Sequence, residues 1–292
     1  MKVTPLKEAE PRPRHVAIGT FDGVHLGHQA VIDHADTVLT FDPHPLTVLK
    51  PEAPPRLLAP FSVRRDVIDG LGVEELVVIG FDEEFSHLDP EQFIDRVLVE
   101  RLGATKVSIG ENFHFGAKAK GTPEMLAARR EFQTRIVSMI EVDGETVSSS
   151  RIRELVEAGD VGEARRCLGS PYMVEGTVVE GDHRGRELGF PTANLVPDPG
   201  LVAPATGIYA AFANGFPAAV NVGFRPTFES DLGLLLEAHL IDRDEDLYGQ
   251  TLRVAFVERL REEERFDSAE QLVAQIRRDV EDGRRACAAF TG

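Results

Sequence analysis

An α/β domain built on an open parallel sheet, followed by an antiparallel β domain ending in a helix, is the fold class that the 292-residue sequence predicts. Three observations carry it. Between His15 and Ile140, short β-branched runs alternate with helical segments, which is the pattern of a parallel sheet covered by helices. At "LGSPY" (168–172), Gly169 and Pro171 punctuate the chain, and beyond them the texture changes to short strands joined by turn residues. One hydrophobic core usually serves roughly 100–200 residues, so the length suits two. The expected domains are therefore 1–168 and 169–292.

In the first domain the runs are Val16–Ile18, Val38–Phe41, Leu76–Ile79, Lys106–Ile109 and Arg135–Ile140. The clearest helix is "DPEQFIDRVLVERLG" (89–103): Asp89 can cap it, Pro90 suits its first turn, Phe93, Val97 and Leu98 make its apolar stripe, and Gly103 stops it. A helical pair, Ser150–Glu157 and Asp160–Leu168, is separated by Gly159. In the second domain "YMVEGTVVEG", "GIYAAFA", "AAVNVG", "LLLEAHLI" and "LRVAFVERL" read as strands, with Asn214-Gly215 a hairpin turn and a barrel or sandwich the natural closure. The tail "DSAEQLVAQIRRDV" (267–280) returns to helix, with Ser268 and Gln271 placed for a capping box and Leu272, Val273, Ile276 and Val280 on one face.

Composition excludes several classes. With 42% hydrophobic and 28% charged residues, the chain has no apolar run approaching the roughly 18–20 residues that span a bilayer. The first fifteen residues lack the apolar core of a secretory signal, and two distant cysteines, Cys167 and Cys287, make no disulfide framework, so a cytoplasmic protein with reduced thiols is expected. A net charge of −17 opposes nucleic acid, whose binding rests on many Lys and Arg contacts. A small phosphate ligand is still compatible, because backbone N–H groups and a few arginines can build a local positive pocket.

The unusual residues fall at one edge. "GTFDGVHLGH" (19–28) follows the first run, "DPHP" (42–45) the second, "FDEEF" (81–85) the third, "GENFHFG" (110–116) the fourth, and "SSSRIR" (148–153) lies just past the fifth. Loops at the carboxyl ends of parallel strands share the ligand-binding edge of an open sheet, so these five segments are expected to converge on one cleft. Neither the dinucleotide fingerprint nor the Walker-type loop occurs. A zinc site made from His25, His28, Asp42 and His44 is the competing reading, and it is disfavoured because Arg151 and Arg153 suit a polyphosphate better than a dication. In the second domain, "GDHRGRELGFPTANL" (181–195) reads either as a loop or as a flap whose glycines Gly181, Gly185 and Gly189 allow backbone contact with phosphate, with Thr192 and Asn194 offering neutral oxygens to Mg²⁺. Alternation in "LLLEAHLID" puts Leu234, Leu236 and Leu240 on one face and Glu237 with His239 on the other.

On these residues the chain resembles a family. "GTFDGVHLGH" is similar to the HxGH signature of nucleotidyltransferases, and with "TFDPHP", "GENFHFG", "SSSRIRE", "PTAN" and "VGFRPTF" it resembles the bifunctional riboflavin kinase/FAD synthetases of bacteria, from about His15 to Arg284. The resemblance implies a Rossmann-like nucleotidyltransferase domain followed by a six-stranded antiparallel β-barrel flavokinase domain with a C-terminal helix. It implies ATP as substrate at both sites, Mg²⁺ as the metal, riboflavin and FMN as the flavin substrates, and action as a monomer or weak homo-oligomer. His25 and His28 would bond the α/β-phosphate region, Gly19, Phe21, Asp22 and Gly23 would form the surrounding loop, and Asn112 would sit against the phosphates or the flavin. Ser149 and Arg153 would hold the leaving pyrophosphate. In the second domain Glu237 would be the base for the ribityl 5′-hydroxyl, Thr192 and Asn194 the metal and phosphate binders, and Gly181, Gly185, Gly189 and Pro191 the nucleotide-binding flap, while Arg225 reads as scaffold. One departure stands out: only "QAVIDHADT" separates His28 from Val38, where the family carries a longer helix and loop. A flavin-binding regulator or a kinase-only enzyme is therefore the alternative function.

Overall fold

The structure, a computed structural model, describes residues 1–180, 188–225, 233–243, 245 and 247–291. Packing divides the chain into two units, Met1–Pro55 with Phe61–Ser149, and Arg56–Pro60 with Ser150–Gly292.

The first unit is a sheet of six parallel strands: β1 (Lys2–Pro5), β2 (Arg14–Ile18), β3 (Thr37–Phe41), β4 (Glu75–Ile79), β5 (Ala104–Gly110) and β6 (Gln133–Val137), in the order β1-β4-β3-β2-β5-β6. A small hairpin, β7 (Glu141–Val142) and β8 (Glu145–Thr146), follows. Both sheet faces are covered, so successive residues of one strand enter opposite cores: Val16 and Ile18 pack with Phe93, Ile94 and Leu98, and Ala17 packs with Val31, Ile32 and Ile68. The strand order reverses between β2 and β5, which makes their carboxyl ends the switch point where open α/β sheets bind ligands.

Strand β1 has no counterpart among the expected runs. Only Thr4 of its four residues is buried, and that gives no period to read. Tertiary contacts hold it: the Thr4 hydroxyl donates to Glu75 Oε1 at 2.7 Å, and the buried Arg14 donates to Glu75 Oε2 at 3.0 Å and to the Leu102 carbonyl at 2.6 Å. Burial alone would raise the Glu75 carboxyl, but the hydrogen bonds from Thr4 and Arg14 outweigh it and hold the group at about 2.

The helix expected over 89–103 is present, with its capping box: Gln92 N–H donates to Asp89 Oδ1 at 2.8 Å and Asp89 N–H to Gln92 Oε1 at 3.1 Å. After Pro90–Gln92 it is wound as a π-helix over Phe93–Arg101, so that Leu102 N–H reaches the Val97 carbonyl five residues back.

The second unit is a closed barrel of six antiparallel strands: β9 (Tyr172–Val179), β10 (Ala193–Pro197), β11 (Gly207–Ala213), β12 (Phe216–Arg225), β13 (Gly233–Leu240) and β14 (Thr251–Arg261), in the order β10-β13-β12-β11-β14-β9. Pairing of β9 with β10 completes the ring and removes free edges. Gly176 is required there, since a Cβ would lie 2.8 Å from the Val196 carbonyl oxygen. Asn214 and Gly215 both take positive φ (47° and 85°), as a two-residue turn matching strand twist demands. The terminal helix runs Ala269–Thr291, past Val280, because its buried face continues to Cys287, whose thiol donates to the Ala211 carbonyl at 3.3 Å.

Grouped by packing, the helical pair Ser149–Glu157 and Val161–Leu168, after Ser149, goes with the barrel, ahead of the 168/169 boundary that the sequence texture suggests. The physical reason is close seating on the barrel: Ala205 N–H bonds to the Val156 carbonyl, and a Cβ at Gly159 would lie 2.8 Å from the Tyr209 hydroxyl.

Candidate active sites

In the first unit the loops at the carboxyl ends of β2, β3, β4, β5 and β6 line one cavity of about 780 Å³. Gly19, Phe21, His25, His28, Asn112 and Ser149 are all on its wall. The loop after β2 is strained: Phe21, Gly23 and Val24 take φ of 50°, 82° and 44°, conformations that a branched Val adopts only when its surroundings impose them. Those surroundings are the burial of Phe21 and Val24 at 1% exposure each, and a hydrogen bond from Ser149 Oγ to the Asp22 carbonyl at 3.1 Å. Arg64, which has no local sequence signal, sits 3% exposed behind this loop and donates to the Thr20 carbonyl at 2.9 Å, with Asp42 at 3.5 Å. Its helix reads as polar, and only tertiary packing reveals that this arginine points inward.

The histidines are a stacked pair, ring centroids 3.6 Å apart and 18° from parallel, with the Phe21 edge against His28. His25 precedes the helix Leu26–Ile32 and accepts the His28 backbone N–H at Nδ1 (3.3 Å), which leaves its proton on Nε2. His28 Nδ1 is buried with no partner among the described residues. Burial lowers His25 to about 4; burial, then the charges of His25 and Arg64, lower His28 well below the usual histidine range. Both rings are neutral at pH 7. In the short connection after His28, Val31 and Ile32 are buried and Ala35 N–H closes onto the Ile32 carbonyl at 2.8 Å.

A stability prediction follows from the sign of the His25 shift. Above about pH 6.5 the ring is neutral in folded and unfolded chains alike; as pH falls from 6.5 toward 4, only the unfolded chain takes up the proton, and stability is lost. The slope is about 1.4 kcal/mol per pH unit, so His25→Asn should retain about 2 kcal/mol more of its neutral-pH stability at pH 5 than the parent chain does, measured by urea unfolding. Equal losses in both proteins would show that His25 is not buried neutral.

One side of the cavity is aromatic. Phe41, Phe81, Phe85, Phe93, Phe115 and Phe113 follow one another with centroids 5.3–6.3 Å apart, and Phe81, Phe85 and Phe113 are only partly buried. Among the described residues no group of three or more His, Cys, Asp or Glu is arranged to hold a metal ion.

In the second unit, a cavity of about 750 Å³ is lined by Thr192, Asn194, Asn221, Glu237 and His239 together with Arg261 and Asp279 near the terminal helix. The register explains the cluster: Glu237 on β13 lies opposite Asn194 on β10 and opposite Asn221 on β12, so three polar side chains form a row across three strands. Asn221 Nδ2 donates to Glu237 Oε2 at 3.2 Å. Asn194 is 5% exposed, and its Oδ1 has no partner among the described residues. His239 Nδ1 meets the Pro191 carbonyl at 2.8 Å; a carbonyl only accepts, so the ring carries its proton there and anchors the residue before Thr192. Arg261 clasps Asp279 at 2.7 and 2.9 Å, tying β14 to the helix.

The remaining expected residues are placed as follows. Asp22 and Gly23 are in the β2 loop behind the wall residues; Arg153 belongs to the second unit, where its Nε donates to the Arg56 carbonyl at 2.7 Å. Gly189 has φ 86° and open space at its Cβ position. Gly181 and Gly185 lie outside the described residues, as does the side chain of Arg225. Asn221 is the functional candidate that motif reading missed, although a lone Asn between Val220 and Val222 on a strand is a visible signal.

A doubly wound unit with a cavity at its switch point, followed by a barrel with a carboxylate beside a buried amide oxygen and a hydroxyl, is the build of a two-site phosphate-transferring enzyme. The FAD synthetase family model matches residues 7–151 and the riboflavin kinase model residues 168–287. The chain is 36% identical to the bifunctional riboflavin kinase/FMN adenylyltransferase of Listeria monocytogenes, covering 92% of this chain and 91% of that one, and 34% identical to the Escherichia coli K12 enzyme of the same description, covering 90% of each. A Streptococcus pneumoniae crystal structure described as a macrolide-efflux protein superimposes with a TM-score of 0.87 at 30% identity, over 97% of this chain and 99% of that one. Among the described residues of this chain no helix is long and apolar enough to cross a membrane. The chain belongs to the bifunctional riboflavin kinase/FMN adenylyltransferase family, and its two activities are those of the two matched domains.

Proposed function

We propose that the two cavities divide the work, the barrel forming FMN from riboflavin and ATP and the first unit joining FMN to AMP. In the barrel, Glu237 takes the proton of the ribityl 5′-hydroxyl as that oxygen attacks the γ-phosphorus; the bond from that phosphorus to the β-γ bridging oxygen breaks and ADP leaves. The residues suit a divalent cation already carried by phosphates: Asn194 Oδ1 is a buried carbonyl oxygen with no partner among the described residues, and Thr192 adds a hydroxyl on the same wall. Mg²⁺ held by Thr192 and Asn194 would neutralise phosphate charge. The His239 hydrogen bond to Pro191 fixes the chain that carries both.

In the first unit, the FMN phosphate has a second pKa near roughly 6 and is largely a dianion at neutrality, so it attacks the α-phosphorus of ATP without a protein base or covalent intermediate. Pyrophosphate departs as the bond to the α-β bridging oxygen breaks. His25 and His28 donate to the α/β-phosphate region as charge builds, Ser149 turns its hydroxyl to the leaving group, and Asn112 lines the phosphate path. The flavin rings lie against Phe81, Phe85 and Phe113, whose faces suit a flat heteroaromatic.

The observation that carries this reading is the coincidence of two family matches with two units, each having its own polar-lined cavity. The test is incubation of the full chain with riboflavin, ATP and Mg²⁺, with chromatography of the flavins. FMN should rise first and FAD follow with pyrophosphate; FMN alone would favour a kinase-only protein, and neither flavin a binding protein.

A further inference from the structure

We infer that Asn221 is a positioning residue for the kinase step: its amide N–H holds one oxygen of Glu237 and so presents the other to the substrate hydroxyl. The inference rests on Glu237 acting as the base. Asn221 stands opposite Glu237 in the antiparallel pair of β12 with β13, and its Nδ2 is 3.2 Å from Oε2. A carboxylate oxygen only accepts, so the amide must turn its nitrogen inward. That leaves Asn221 Oδ1 buried and without a partner among the described residues.

A strand residue kept for packing alone would not leave a buried polar atom in that state, and Asn221 shares its strand face with Ala219 on the cavity wall, opposite to the core-facing Val220 and Val222. What the amide supplies is orientation. A glutamate on a strand has three rotatable bonds, and a proton acceptor must lie within hydrogen-bond reach of the hydroxyl it deprotonates. A neutral donor restricts the carboxylate without placing a countercharge against it.

The experiment compares Asn221→Ala, Asn221→Asp and Asn221→Ser in the full chain, with Glu237→Gln in parallel. Riboflavin kinase kcat and KM, riboflavin affinity by flavin fluorescence, and FAD formation from supplied FMN are measured for each. Asn221→Ala and Asn221→Asp should lose about tenfold or more in kcat with riboflavin affinity and FAD formation retained, and Asn221→Ser, which keeps a donor, should fall less. Asp has the shape of Asn without the N–H, so a kcat preserved in Asn221→Asp overturns the inference. Loss of riboflavin binding in step with kcat also overturns it, because the residue would then shape the pocket. If Glu237→Gln keeps its kinase turnover, the base assignment itself fails; if Glu237→Gln is inactive and Asn221→Asp is active, only the role of Asn221 fails.

Discussion

Glu237→Gln is expected to lower FMN formation by about 10²–10⁴-fold while leaving conversion of supplied FMN to FAD unchanged. The substitution is nearly isosteric and sits in the middle of β13, bonded to strands on both sides, so the ladder around it is preserved. Leu236 and Ala238, its neighbours on the opposite strand face, are fully buried and untouched. What disappears is the capacity to take a proton. The amide of Gln can still satisfy the Asn221 donor through its oxygen, so the loss reads proton transfer rather than a broken contact. Parallel assays of both reactions on one preparation check this, with riboflavin binding by flavin fluorescence reporting that the barrel is folded. Equal loss of both activities would refute the division of labour between the cavities.

Much of the architecture was legible because it is written locally. The β-branched runs of β2 to β5 register burial on both faces, the Asp89 cap followed by Pro90 satisfies an orphan donor within one turn, and Asn214-Gly215 supplies two positive φ angles in adjacent residues. Elements defined by distant partners were not legible. Strand β1 is held by Glu75, a residue on the neighbouring strand; Arg64 is recognisable only once Thr20 and Asp42 surround it; the terminal helix passes Val280 because the barrel wall continues beneath it as far as Cys287. The barrel site shows the same contrast. Thr192, Asn194 and Glu237 stand out by motif, but that Asn221 faces Glu237 depends on the pairing of β12 with β13, which no period in either strand specifies.

His28→Ala should reduce adenylyl transfer by about 10²-fold or more, mainly in kcat, with riboflavin kinase activity retained. The argument begins with burial. A ring lowered well below its usual range is neutral at pH 7 and carries one N–H, and its stacking on His25 at 3.6 Å discourages a second proton while the cavity holds no anion. A triphosphate works against that balance, because negative charge beside a desolvated imidazole favours the protonated form, and charge gathers on the bridging oxygen only as the bond to the α-phosphorus breaks. The interaction therefore strengthens along the reaction coordinate, the condition under which removing it lowers kcat more than it raises KM. His28→Asn retains donors without the capacity to gain charge, and should fall between the parent chain and His28→Ala. The measurement is FAD formed from FMN and ATP at saturating substrate for all three proteins, and an unchanged rate in His28→Ala would remove the stacked pair from the mechanism.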